Sequence, residues 1–170
     1  MKTPLPIPVV AALAVSVLAT FSAPLAWAQT TSTVATTATV STECNITVTR
    51  LAFGVYDPIV AHQTAHLDGT ATIRLTCTKG AVASVALGLG LNVSGSTRRM
   101  ISNIGDYLTY ELHQDSSRQF VWNEEITSLL TLGPALSMAP RDLTVYGRLF
   151  GGQDVRAGTY TDSVLATVNF

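Results

Sequence analysis

Any chemistry in this 170-residue chain has to come from a small set of titratable side chains. His62 and His66 stand four apart, with Asp68 close behind. On a helix that spacing would put two imidazoles on one face, toward a metal ion. The HExxH pattern is absent, and Gly69 with an alternating run follows at once, so the pair reads as two solvated loop histidines. His113, beside Asp115 at the end of another alternating run, reads as a turn residue. Glu124 and Glu125 are neighbours in sequence, an arrangement that does not set two carboxylates face to face across a substrate; they read as a solvated loop. Arg98-Arg99 is one basic pair and reads as surface. No GxSxG elbow presents a nucleophile. The sequence therefore predicts no enzyme, no metal site and no cofactor.

Cys44 and Cys77 are the remaining reactive pair, and their fate depends on the compartment. Lys2, an apolar run from about Val9 to Phe21, and Ala26-Trp27-Ala28 form a charged, an apolar and a small-x-small cleavage region. Residues 1–28 are expected to be a signal peptide, leaving a mature chain from Gln29. The apolar run is short for a bilayer span of about 20 residues, so no stable membrane insertion is expected. Export to an oxidising compartment predicts a Cys44–Cys77 disulfide. Closing that loop should contribute about 3–4 kcal/mol on the chain-entropy model.

Charge is sparse and nearly balanced, with 10 Lys and Arg against 11 Asp and Glu. Without a basic stripe, nucleic acid is a poor candidate partner. Low charge with a mean hydropathy of +0.34 fits a protein that lives packed against copies of itself.

The elements that position these residues alternate with period two. Glu43 to Phe53 places Cys44, Ile46 and Val48 on one face and ends at Gly54 and a Tyr56-Asp57-Pro58 turn. Thr70 to Cys77 puts Ala71, Ile73, Leu75 and Cys77 on one face. Val82 to Val93 reads as one strand with Gly88 and Gly90 on its other face. Short runs follow at Arg98 to Ile101, Tyr107 to Leu112, and a returning Gln119 to Trp122. Glu124 to Leu132 is irregular, with room for a helical turn before Gly133 and Pro134. Leu143 to Phe150 and Thr159 to Phe170 complete the set, the last aligning Val164, Ala166, Val168 and Phe170. Short strands and turn signals without a long helical period predict an all-β antiparallel sandwich in one domain over residues 43–170.

One stretch has no evident place in that domain. Thr30 to Thr42 reads Thr-Thr-Ser-Thr-Val-Ala-Thr-Thr-Ala-Thr-Val-Ser-Thr, with no charge, Pro, Gly or aromatic residue. If extended, it presents Val34, Thr36, Ala38 and Val40 on one face. An uncharged strand with unpaired N–H and C=O groups invites another chain. Either the tail is disordered or such pairing is its purpose, and its small side chains leave the register free to slip by two residues.

Phe53-Gly54-Val55-Tyr56-Asp57-Pro58 resembles the FGxYDP signature of spore coat protein U domains, and Ile73-Arg74-Leu75-Thr76-Cys77 resembles their second cysteine strand. Leu108-Thr109-Tyr110-Glu111-Leu112 resembles the LxYxLY-like strand, with His113 in place of an aromatic or apolar neighbour. Gly158-Thr159-Tyr160-Thr161-Asp162-Ser163-Val164 resembles the closing GxYxDxV strand. Gly147 to Asp154 departs from the usual GxIPxxQ run, with Gln153 standing at its Gln position. The resemblance implies an incomplete immunoglobulin-like β-sandwich lacking its last strand, as in subunits of archaic chaperone–usher pili. It implies residues 29–42 as a donor-strand extension acting through Val34, Thr36, Ala38 and Val40. The acceptor-groove or chaperone-facing edge would be Val164, Ala166, Val168 and Phe170, with no residues left beyond Phe170 to cover it. The implied partners are copies of the chain or related subunits, a periplasmic chaperone and an outer-membrane usher. The implied location is the periplasm in transit and then the cell surface, with roles in adhesion or biofilm formation. The alternatives are a pilus tip or surface adhesin module, and a self-contained secreted sandwich whose tail folds back on its own edge.

Overall fold

The computed structural model describes residues 27–170, so residues 1–26 of the expected signal peptide lie outside the described residues. The chain divides into two units, residues 1–38 and 39–170. In the first, residues 27–38 form no strand and are exposed throughout.

The second unit is built from the alternating runs. Its strands are β1 (Cys44–Val48), β2 (Leu67–Cys77), β3 (Ala83–Leu87), β4 (Arg98–Ser102), β5 (Tyr107–His113), β6 (Leu130–Leu132), β7 (Arg141–Leu149), β8 (Tyr160–Thr161) and β9 (Ala166–Asn169). All pair antiparallel, in a larger sheet ordered β1-β2-β7-β5-β4-β8 and a smaller one ordered β6-β3-β9. The only helical turn among the described residues is a 3-10 turn at Ile126–Ser128. The expected antiparallel sandwich is the observed fold.

β2 and β7 are neighbouring interior strands of the larger sheet. Ala71, Ile73, Leu75 and Cys77 point into the core with Val145 and Leu149, as period two requires. On the outer face the register sets Arg74 against Asp142 and Asp68 against Arg148. Both pairs are bidentate, at 2.8–3.0 Å, and they specify register more than they stabilise, because water screens them. On the inner face the same register sets Gly69 directly opposite Gly147. Two missing side chains leave a hollow, and Leu51 and Phe53 fill it. A Cβ on Gly147 would lie 2.7 Å from Leu51 Cδ1 and 2.9 Å from Phe53 Cζ.

Two runs read as single strands are broken. Val82 to Val93 ends as a strand at Leu87, because the carbonyls of Leu87 and Gly88 accept hydrogen bonds from the Arg98 guanidinium instead of a ladder partner. Thr159 to Phe170 splits into β8 in the larger sheet and β9 in the smaller one. Between them the Asp162 carboxylate is held by another loop. The expected return strand Gln119 to Trp122 contributes a single bridge, Val121 to His113.

Candidate functional site

The feature with functional potential is an opening between the two sheets. β9 pairs with β3 on one side, from Ser84↔Asn169 to Leu87↔Ala166, and with no described strand on the other. β1 pairs only with β2 among the described strands. The two free edges approach one another without a ladder between them. Val164, Ala166 and Val168 are half-buried and pack on the core from one side; Cys44 and Ile46 do so from the other. Two strand edges thus carry backbone groups without a described ladder partner beside apolar residues packed on the core, the kind of edge that accepts an added strand. Phe170, past the end of β9, is 54% exposed and does not join its three companions against the core.

The start of β1 is cross-linked to the end of β2. Cys44 and Cys77 form the disulfide, directly opposite each other in the β1–β2 register. The Glu43 N–H donates to Thr78 Oγ1 (3.1 Å) and the Thr78 N–H to the Glu43 carbonyl (2.8 Å). Upstream, residues 29–42 belong to no strand, and Val34, Thr36, Ala38 and Val40 are all exposed, Val34 at 87% and Val40 at 81%. For apolar side chains in a segment without charge, such exposure leaves a full transfer free energy of about 1–3 kcal/mol per valine available to a partner.

The residues first considered for chemistry take structural places. His62 Nδ1 accepts from the Asp57 N–H (3.0 Å) and its ring stacks on Tyr56; His66 Nδ1 accepts from the Gly151 N–H (3.1 Å). Neither belongs to a metal-holding group among the described residues. Asp57 caps the turn after Pro58, and the N–H groups of Val60 and Ile59 hold its carboxyl below the usual carboxylate range. Gln153 bridges strands, accepting from the Thr109 N–H (2.6 Å) and donating to the carbonyls of Thr109 (3.0 Å) and Phe150 (2.8 Å). Glu124 and Glu125 are exposed loop residues.

Two expectations are corrected. Arg98 is not a surface residue: it has no exposure at all. Its guanidinium donates to the carbonyls of Gly88 (2.9 Å), Leu87 (3.0 Å) and Trp122 (2.7 Å) and pairs with Glu111. Only an arginine fork supplies donors in so many directions, and Trp122, equally buried, completes the cluster by donating to the Val85 carbonyl. His113 is not a turn residue: it is buried, and neither ring nitrogen has a partner among the described residues. Burial pushes its pKa down, with Arg148 and Arg118 adding to the effect and Glu111 and Asp115 opposing it. The sequence held one signal for it, a histidine at the end of β5 where an aromatic or apolar residue would fit.

Comparison with known proteins gives these features a setting. The family model described as Spore Coat Protein U domain matches residues 30–167, a span that takes in the exposed tail as well as the sandwich. "Protein U" of Myxococcus xanthus is 40% identical over 130 residues, 71% of this chain and 71% of that protein. A chain in the crystal structure of a chaperone–tip adhesion subunit pre-assembly complex from the archaic chaperone–usher Csu pili of Acinetobacter baumannii shares the fold. The TM-score is 0.57 at 21% identity, over 78% of this chain. The match spans only 41% of that solved chain. On the family model and the Myxococcus relative together, the chain belongs to the Spore Coat Protein U domain family, whose members are structural proteins and not enzymes.

Proposed function

We propose that the chain is a structural subunit of a surface pilus, assembled by a periplasmic chaperone and an outer-membrane usher through donor-strand complementation. One observation carries this reading: an exposed, uncharged tail with a period-two apolar face coexists with an unpaired apolar edge at β9 facing β1. The tail of one copy supplies main-chain hydrogen bonds to the groove of the next and seats Val34, Thr36, Ala38 and Val40 along Val164, Ala166 and Val168. Donor and acceptor are different surfaces of the same chain, so the contact is head-to-tail and propagates as a fibre. Before assembly the chaperone covers the same edge. Residues 29–42 are then the donor extension and residues 43–170 the acceptor domain, exported by way of residues 1–28. Adhesion or biofilm formation follows from display of such a fibre at the cell surface.

The test is expression with a candidate chaperone and usher. Full-length protein should give heat-sensitive ladders on unboiled gels and thin fibres by electron microscopy. Deleting residues 29–42, or introducing Val34→Asp with Val40→Asp, should leave a folded, chaperone-bound subunit and abolish the ladders. Ladders that persist without the tail would end the donor assignment.

A further inference from the structure

The acceptor edge hangs on a short element. β9 has four residues and one ladder neighbour among the described strands. It is reached through a crossing, Asp162 to Leu165, that carries the chain from one sheet to the other. A segment held so lightly would not keep one position without further support. The support is the Asp162 side chain. Its Oδ1 accepts from the N–H groups of Leu91 (3.0 Å) and Asn92 (3.3 Å) and from Asn92 Nδ2 (2.9 Å); its Oδ2 accepts from the Tyr110 hydroxyl (2.7 Å). Burial pushes the Tyr110 hydroxyl pKa up, and the bond to Asp162 pushes it further, so the phenol stays a donor. The partner loop is shaped to admit the carboxylate. Gly90 has φ +86°, and a Cβ there would sit on the Asp162 side chain. A second tie, Gly88 N–H to the Leu165 carbonyl (2.8 Å), closes the crossing just before β9.

We infer that Asp162 is a positioning residue for the groove: it clamps the crossing to the Gly90–Asn92 loop and to Tyr110 on β5, and thereby holds β9 ready to receive a strand. A carboxylate suits this task because it takes several donors at once, and charge-assisted bonds of this kind are stronger than neutral ones. A carboxamide in the same place, with one accepting oxygen and a donating NH₂, could not accept from all four donors in one orientation. Asp162 touches no part of an incoming strand in this scheme. It acts by removing the ordering cost that binding would otherwise meet. The inference rests on the donor-strand reading for its consequence, not for its geometry.

Two measurements on the full chain separate the clamp from that reading. The first is hydrogen exchange in wild type, Asp162→Asn and Tyr110→Phe. The clamp predicts that amides of residues 166–169 exchange about tenfold faster or more in Asp162→Asn and by a smaller factor in Tyr110→Phe, with β7 amides unchanged. The second is the rate at which each protein captures a fluorescent peptide of residues 30–42. The expectation is capture slowed about tenfold in Asp162→Asn, less in Tyr110→Phe, and unaltered in Arg74→Ala, which lies on the outer face of the other sheet. Unchanged exchange at 166–169 in both variants overturns the clamp, as does faster exchange spread evenly over all strands, which would mark a general loss of stability. The expected exchange differences without peptide capture by wild type would support the clamp and count against the donor-strand reading alone.

Discussion

Removing the guanidinium of Arg98 would strand three backbone carbonyls in the interior and take from the partly buried Glu111 carboxylate its ion-pair partner. Breaking a buried pair from one side typically costs about 3–5 kcal/mol, whereas replacing both members by apolar groups costs less. Arg98→Ala should therefore lower unfolding free energy by about that amount, and Arg98→Met with Glu111→Leu should recover part of it; urea titration of the three proteins decides. His113 sets a different dependence. Its folded pKa lies below the ordinary 6.5 because burial penalises the charged ring. The unfolded chain therefore binds the proton first, and stability falls as pH drops from about 7 toward the lower, folded value. The carboxylates act in a separate and more acid window. Asp106, held at about 2 by Arg156, and Asp115, held at about 2 by Ser117 and the Phe120 N–H, lose their contribution only between about 4 and 2. His113→Phe should flatten the stability profile just below about pH 7 and leave the acid limb unchanged, as read from urea midpoints across pH. A slope that survives the substitution would place the proton uptake elsewhere. The Arg98 role was not legible in the sequence, because an Arg-Arg pair carries no local mark of burial and only the long-range meeting of β3, β4, β5 and the Trp122 segment creates it; His113 left a single trace, its place at the end of β5 where an aromatic or apolar residue would fit.

At the level of elements, the strands themselves were legible. β2 and β7 follow the alternation of their residues closely, since both are central strands with one face buried and register leaves them little choice. The breaks were not, because each depends on contacts between residues distant in sequence: Arg98 takes the carbonyls at the end of β3, and Asp162, between β8 and β9, is held by Leu91, Asn92 and Tyr110. The paired glycines are a third such case. Gly147 alone in β7 reads as a weak point, yet opposite Gly69 it becomes the seat for Leu51 and Phe53. Gly147→Ala should cost about 1–3 kcal/mol by overpacking. Gly69→Ala should cost less, since its Cβ would lie 3.2 Å from Phe53 Cδ1, a tight contact but a lesser overlap than the 2.7 Å approach at Gly147. Equal thermal shifts for the two variants would argue that the hollow relaxes around either methyl group.

For the whole molecule, the free edges at β1 and β9 give the sandwich a direction. The tail enters at Cys44, on one wall of the groove, while the other wall is the last strand of the described fold. The tail's lack of charge, its extended pattern and the family resemblance were all readable in the sequence, whereas the neighbouring β1 edge emerges only once the sheets are folded. The disulfide at the first residue of β1 then has a mechanical meaning. A pull applied along residues 39–43 would meet a covalent link before it met the hydrogen bonds of β1. At Cys44 it divides, passing through sulfur into Cys77 and so into β2, whose ladder to β7 runs from Leu67↔Leu149 to Leu75↔Arg141. A pull on the segment before Cys44 would therefore be met by the nine-residue β2–β7 ladder as well as by β1's own bonds.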